Sequence, residues 1–238
     1  VLGGNGSGGG GVALCEAGGD WNAEENEADD GAEDTGFGMG DDMPLSVFQV
    51  QQGAATMGVR VAISNVVVTS PASPGEAMGG LEFFVQELEG GPYSGLRVQG
   101  FDPLIEGFAA PGDTIDVSGR IAQNGAYYML LLDTVDDITK VGTAEPPAPP
   151  VLTAGELSTQ QASARQYEGV VVQVQGATVT DAQPCLGEFT LDDAVRVDDR
   201  FVPNALDMPV AGQVIAQVQG VLVFADDEYE LAPTLAAD

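Results

Sequence analysis

From about residue 44 onward the chain is a series of short runs in which apolar residues alternate with polar ones or cluster in blocks, each bounded by turn residues. In the first half this pattern predicts strands over Val59–Thr69, Leu81–Leu88, Gly95–Phe101, Thr114–Ala122 and Ala126–Asp133. In the second half it predicts strands over Gly169–Thr180, Gly187–Asp192, Val195–Phe201, Gln213–Phe224 and Tyr229–Pro233. Gly79-Gly80, Gly90-Gly91, Ser70-Pro71 and Ser73-Pro74 punctuate the first set. Asn124-Gly125 reads as a tight type I′ hairpin, and Asp226-Asp227 takes the corresponding place in the second set.

The second half repeats the first. Gly58-Val59-Arg60-Val61-Ala62-Ile63-Ser64-Asn65-Val66-Val67-Val68-Thr69 returns, offset by roughly 110 residues, as Gly169-Val170-Val171-Val172-Gln173-Val174-Gln175-Gly176-Ala177-Thr178-Val179-Thr180. The run from Pro111 to Ile121 returns as the run from Ala211 to Val221. Phe83-Phe84-Val85 with Leu96-Arg97-Val98 answers to Phe189-Thr190-Leu191 with Val195-Arg196-Val197. Five strands per copy, with a longer connection between the third and fourth, is the order of the OB-fold. The expected fold is therefore all-β: two tandem OB-like five-stranded Greek-key barrels behind an extended Gly-rich and acidic N-terminal segment. The expected boundaries are 1–43 for the extension, 44–143 for the first barrel, 144–152 for a Pro-rich linker and 153–238 for the second barrel. Glu145-Pro146-Pro147-Ala148-Pro149-Pro150 makes that linker stiff, and residues 153–166 form a polar stretch of moderate helix character.

Leu152-Thr153-Ala154-Gly155-Glu156-Leu157, a spacer, and then Tyr167-Glu168-Gly169-Val170-Val171-Val172 resembles the opening of bacterial extracellular OB-fold domains, the modules that accompany secreted nucleases and surface lipoproteins. Gly112-Asp113-Thr114-Ile115-Asp116-Val117-Ser118-Gly119 is similar to the fourth strand of that family. The second copy has Gln213 where Asp113 stands, so no shared duty rests on that acid. The resemblance implies an extracellular setting and carries no catalytic signature.

Composition narrows the chemistry. Among 238 residues, one Lys and six Arg oppose 37 acids, for a formal charge of −30. Such a surface repels phosphate backbones and anionic lipids, so nucleic acid is not expected as a partner, and no apolar run is long enough to span a bilayer. Histidine is absent, which removes Ser-His-Asp and Cys-His catalysis and the commonest transition-metal ligand. No enzyme activity is expected; only a carboxylate pair or an oxygen-ligated metal would leave room for one. A start at Val1 rather than Met, low Lys and two Cys fit an exported, extracellular or cell-surface protein.

Candidate sites follow. Val12-Ala13-Leu14 is an apolar island beside a glycine tract, suited to docking on a neighbouring subunit's sheet edge. Asp20, Asn22, Glu24, Asp29 and Asp30 alternate hard oxygen ligands, and Ca²⁺ is the candidate cofactor, with no other cofactor expected. Asp133, Asp136 and Asp137, and Asp192, Asp193, Asp198 and Asp199, are looser acidic groups of the same kind. Cys15 and Cys185 are expected to pair as a disulfide, within one chain or between two. Phe84 (or Phe83), Arg97, Tyr127 and Tyr128 are the residues that a ligand face on strands two and three would present, to a sugar or a stacked base. The expected function is that of a non-enzymatic structural subunit of an extracellular filament, a head-to-tail homopolymer in which the extension docks on the next copy. The alternative is a glycan-binding or Ca²⁺-dependent binding module on a stalk, with polysaccharide as its partner.

Overall fold

In the computed structural model of the protein, the residues described are 42–75, 80–100, 107, 110–124, 127–183, 187–203, 206 and 208–234. The candidate docking residues Val12, Ala13 and Leu14, the candidate metal ligands Asp20, Asn22, Glu24, Asp29 and Asp30, and both Cys15 and Cys185 lie outside them, as do Phe101 and Gly125.

Ten strands form two barrels of five. The first holds β1 (Arg60–Val68), β2 (Leu81–Gln86), β3 (Gly95–Gly100), β4 (Asp113–Asn124) and β5 (Tyr127–Leu132). The second holds β6 (Val171–Asp181), β7 (Glu188–Leu191), β8 (Val195–Asp198), β9 (Val214–Ala225) and β10 (Glu228–Ala232). In the first, β1 pairs β2, β2 pairs β3, β3 runs parallel to β5, β5 pairs β4, and β4 closes on β1. The second repeats each of these pairings, the parallel one included. This is the OB order, and the expected fold class holds.

Alternation places the cores. Val61, Ile63, Phe83, Val85, Leu96, Val98, Val117 and Leu130 fill the first barrel, and Val172, Val174, Phe189, Leu191, Val197, Leu222 and Leu231 fill the second. At Asp226 and Asp227, φ values of 47° and 64° make the tight hairpin that the sequence announced. Gly119 and Gly220 occupy the same place in β4 and β9, opposite Val61 and Val172. A Cβ there would stand 2.4 Å from the Leu131 carbonyl oxygen and 2.5 Å from the Ala232 carbonyl carbon, so both bends admit only glycine.

This equivalence shifts the repeat by one residue from the alignment read in the sequence, which set Gly119 against Gln219. The reason is a bulge. The register between β1 and β4 slips between Ile63 and Val66, leaving Ser64 and Asn65 opposite Asp116 alone. Asn65 sits at φ 57°, and its amide donates to Asp116 Oδ1 at 2.8 Å. Between β6 and β9 there is no slip, and the extra residue Ala216 falls opposite Gly176.

Both barrels also open alike. Met43–Pro44 runs parallel to β1, and Val151–Leu152 runs parallel to β6. Each leads into a capping box, Ser46 with Gln49 and Thr153 with Glu156. The first box starts α1 (Val47–Gln51), whose Val47 and Val50 plug the barrel core. Three features differ from expectation. Helix α1 was not foreseen. The stretch expected to have helix character is two short 3₁₀ turns, Ala154–Leu157 and Ala164–Tyr167. A strand at Ile138–Thr143 adds to the edge of β4.

Candidate functional site

The face that OB-folds offer to ligands lies on the outer side of strands two and three. In the first barrel those strands are β2 and β3, and their outward side chains are Glu82, Phe84, Arg97 and Gln99. All four are buried, with Phe84 0% and Arg97 2% exposed. What covers Glu82, Phe84 and Arg97 is the second barrel. Val171, Phe201, Val221, Val223, Ala225 and Ala232 gather around Phe84 in a third apolar cluster, the seam between the barrels. Phe84 meets Phe201 edge-on, with ring centroids 6.0 Å apart.

Polar groups lock the seam. The Arg97 guanidinium stacks over the Phe84 and Tyr127 rings, 5.5 and 5.2 Å from their centroids. It donates through Nη2 to the Phe224 carbonyl at 2.8 Å, and lies 3.5 Å from Glu82 Oε2. Glu82 Oε1 accepts from Arg200 of the second barrel at 3.2 Å. The Val171 amide donates to Gln86 Oε1 at 3.1 Å, and the Tyr93 amide to the Gln166 carbonyl. At Gly95 and Gly169 the backbones of the barrels touch: a Cβ on Gly95 would lie 2.1 Å from the Gly169 carbonyl carbon. Glu168 is buried nearby with Oε2 lacking a hydrogen-bond donor; burial pushes it up to about 7, against the pull of Arg97 and Arg165.

The same positions in the second barrel look different. Glu188 matches Glu82, Thr190 matches Phe84 and Arg196 matches Arg97. Arg196 pairs with Glu188 at 3.0 Å, Glu228 at 2.6 Å and Glu230 at 3.5 Å. Burial pushes Glu230 up to about 8, with the Asp198 charge adding to it and Arg196 opposing it. Glu188 and Asp198 are also raised, burial again being the leading cause.

The expected ligand face is corrected by this arrangement. Phe84, Arg97 and Tyr127 belong to the seam, where Tyr127 packs on Phe224 at 5.4 Å between centroids. Tyr128, next along β5, points to the opposite side and lies under Arg165 at 5.9 Å. Reading one barrel at a time could not find the partners Phe201, Arg200, Phe224, Val171 and Glu168. One signal was present: Val221-Leu222-Val223-Phe224-Ala225 is apolar throughout, the mark of a strand covered on both sides.

The looser acidic groups are also engaged elsewhere. Asp133 and Asp137 hold Arg60, together with Asp42. Asp137 is lowered despite its burial, because Arg60 and the Thr134 and Asp133 amides bond to its ionised form. Asp192 Oδ1 accepts from the Thr178 amide at 2.8 Å. Among the described residues no group of three or more acids or cysteines is placed to hold a metal ion, and no helix is long and apolar enough to cross a membrane.

No family model and no curated protein matches the chain. Solved structures similar to it include the crystal structure of the tetrameric p202 HIN2, with a TM-score of 0.34 and 17% identity over 76% of this chain and 91% of that one. Another is a murine DNA-binding protein bound with double-stranded DNA, with a TM-score of 0.35 and 11% identity over 74% of this chain and 95% of that one. The exclusion of nucleic acid drawn from net charge is corrected here, because a chain with this likeness is itself described bound to double-stranded DNA. Net charge is a sum over the whole surface, whereas a binding face is local. Likeness at this level does not assign DNA to this chain.

Proposed function

We propose that the protein is a non-enzymatic structural subunit of an extracellular assembly, a two-barrel rod whose N-terminal extension docks on a neighbouring copy. The observation that carries this reading is the seam. The aromatic and Arg face on which an OB barrel would seat a small ligand instead joins one barrel to the other, through Phe84, Arg97 and Glu82. Joined this way, with backbones in contact at Gly95 and Gly169, the barrels act as one stiff body. A stiff body suits a load-bearing subunit better than a clamp that closes on a ligand. The Gly-rich extension supplies a segment able to lie close against another backbone.

Electron microscopy of the purified full-length chain, beside one lacking residues 1–41, tests the reading. Filaments or ordered arrays that form only with the extension present are the expected result. Filaments that persist without it remove the extension from the mechanism. Isolated particles that bind labelled double-stranded DNA or a neutral glycan at 0.15 M salt would replace the structural reading with a binding one.

A further inference from the structure

The outer side of β6 and β9 continues past the seam as a stripe of paired residues. Val171 and Val221 sit opposite each other and are buried against the first barrel. The next outward pairs are Gln173 with Gln219 and Gln175 with Gln217, and beyond them Thr178 with Val214. Val151, paired with Gln173 on the edge strand, extends the first row. Gln175, Gln217 and Gln219 are exposed, as are Val151 at 57% and Val214 at 61%.

This stripe carries no charge. Residues 169–180 and 212–224 contain no Asp, Glu, Lys or Arg, in a chain with 37 acids. The same side of the first barrel is charged: Arg60 and Arg120 take the places of Val171 and Val221 and are tied to Asp42, Asp133 and Asp137, and Asp116, opposite Ser64 and Asn65, stands in the row that holds Gln175 and Gln217 in the second. Neutrality is thus a property of the second barrel's face and not of the fold.

We propose that this stripe is a docking surface for a second copy of the chain, related to the first by a two-fold axis. Two bodies of charge −30 repel wherever acids meet, so close contact needs a face free of them. Each glutamine amide both donates and accepts, so a row of glutamines is complementary to itself, as a two-fold contact requires. The exposed valines at either end supply apolar area that the same operation buries. A glycan fits less well, because the stripe offers no aromatic ring for a sugar face to stack on. This contact differs from the docking of the extension and deepens the assembly reading on which it rests.

Sedimentation of the full-length chain over a range of concentrations, at 0.15 and 1 M NaCl, tests it. Association should strengthen at 1 M, where repulsion between the acidic surfaces is screened. The double variant Gln175→Glu/Gln217→Glu should weaken it at least ten-fold, while Gln217→Thr and the distant Thr139→Glu should change it less than about two-fold. All of these positions are solvent-facing, and circular dichroism checks that each variant folds. A chain that stays monomeric at every concentration and salt overturns the proposal. So does equal loss with Thr139→Glu, or shift perturbations over the stripe when a monomeric chain meets soluble dextran. Filaments that survive the double variant but vanish without residues 1–41 overturn this contact and leave the extension's role standing.

Discussion

One ion pair occurs twice in this molecule, in two settings. Glu82 with Arg97 and Glu188 with Arg196 occupy the same positions on strands two and three of their barrels. In the first barrel the pair lies beneath the second barrel, 0% and 2% exposed at the side chains. In the second it borders solvent, at 15% and 19%. The buried copy gathers compensation: a second guanidinium from Arg200, the Phe224 carbonyl and two aromatic faces. The outer copy gathers acids, Glu228 and Glu230. Desolvation explains the difference, because a charge removed from water needs specific partners, whereas one in contact with water can leave its balance to solvent. Of two equivalent faces, one is thus the joint between the barrels and the other borders solvent.

The sharpest break of the comparison is at Phe84 and its counterpart Thr190. Phe84→Ala should cost about 3–5 kcal/mol in denaturant unfolding, because it empties a seam closed on every side. Thr190→Ala should cost less than about 0.5 kcal/mol. Arg97→Ala, which leaves Glu82 in the seam with Arg200 alone and takes the donor from the Phe224 carbonyl, should cost about 3 kcal/mol, against about 1 kcal/mol or less for Arg196→Ala. Equal losses at the two arginines would mean that the seam opens readily in solution.

A pH series sharpens the contrast. Glu168 and Glu230 are raised in the folded chain to about 7 and about 8, from an ordinary 4.5. Between those limits the folded chain holds protons that the unfolded chain has released. Their contribution is therefore complete below about pH 4.5 and disappears as pH rises through 7 and then 8. Thermal unfolding should show lower stability at pH 9 than at pH 6, by about 1.4 kcal/mol for Glu168 alone. Glu168→Gln should remove about a third of that slope and leave the larger share, which belongs to Glu230. The smallest effect is expected at the second hairpin, where Asp226→Asn with Asp227→Gly should stabilise by about 0.5–1 kcal/mol in the same assay.

Much of the strand plan was legible. Val195–Asp198 and Leu81–Gln86 lie within the strands that alternation predicted, and the Asp226-Asp227 turn falls where the sequence put it. The capping box that starts α1 at Ser46 was equally readable but opens a helix of only five residues, too short for a helical period to show. The site was misread for another reason. Period-two patterning tells that alternate side chains leave a sheet, and it left Phe84 or Phe83, with Arg97, for the outside of their barrel. Whether that outside meets water or another domain depends on residues such as Phe201 and Arg200, more than a hundred positions away.

By itself, the sequence determined the local geometry: strand period, turn chemistry, two internal copies and a surface dominated by acids. Those properties follow from near neighbours, since backbone sterics and side-chain alternation act over a few residues. Only the tertiary structure decided which of two equivalent faces is sealed, which register the repeats keep, and where an uncharged stripe lies open. Contacts between distant segments set all three, and no local pattern encodes which surfaces will meet once loop closure brings them together.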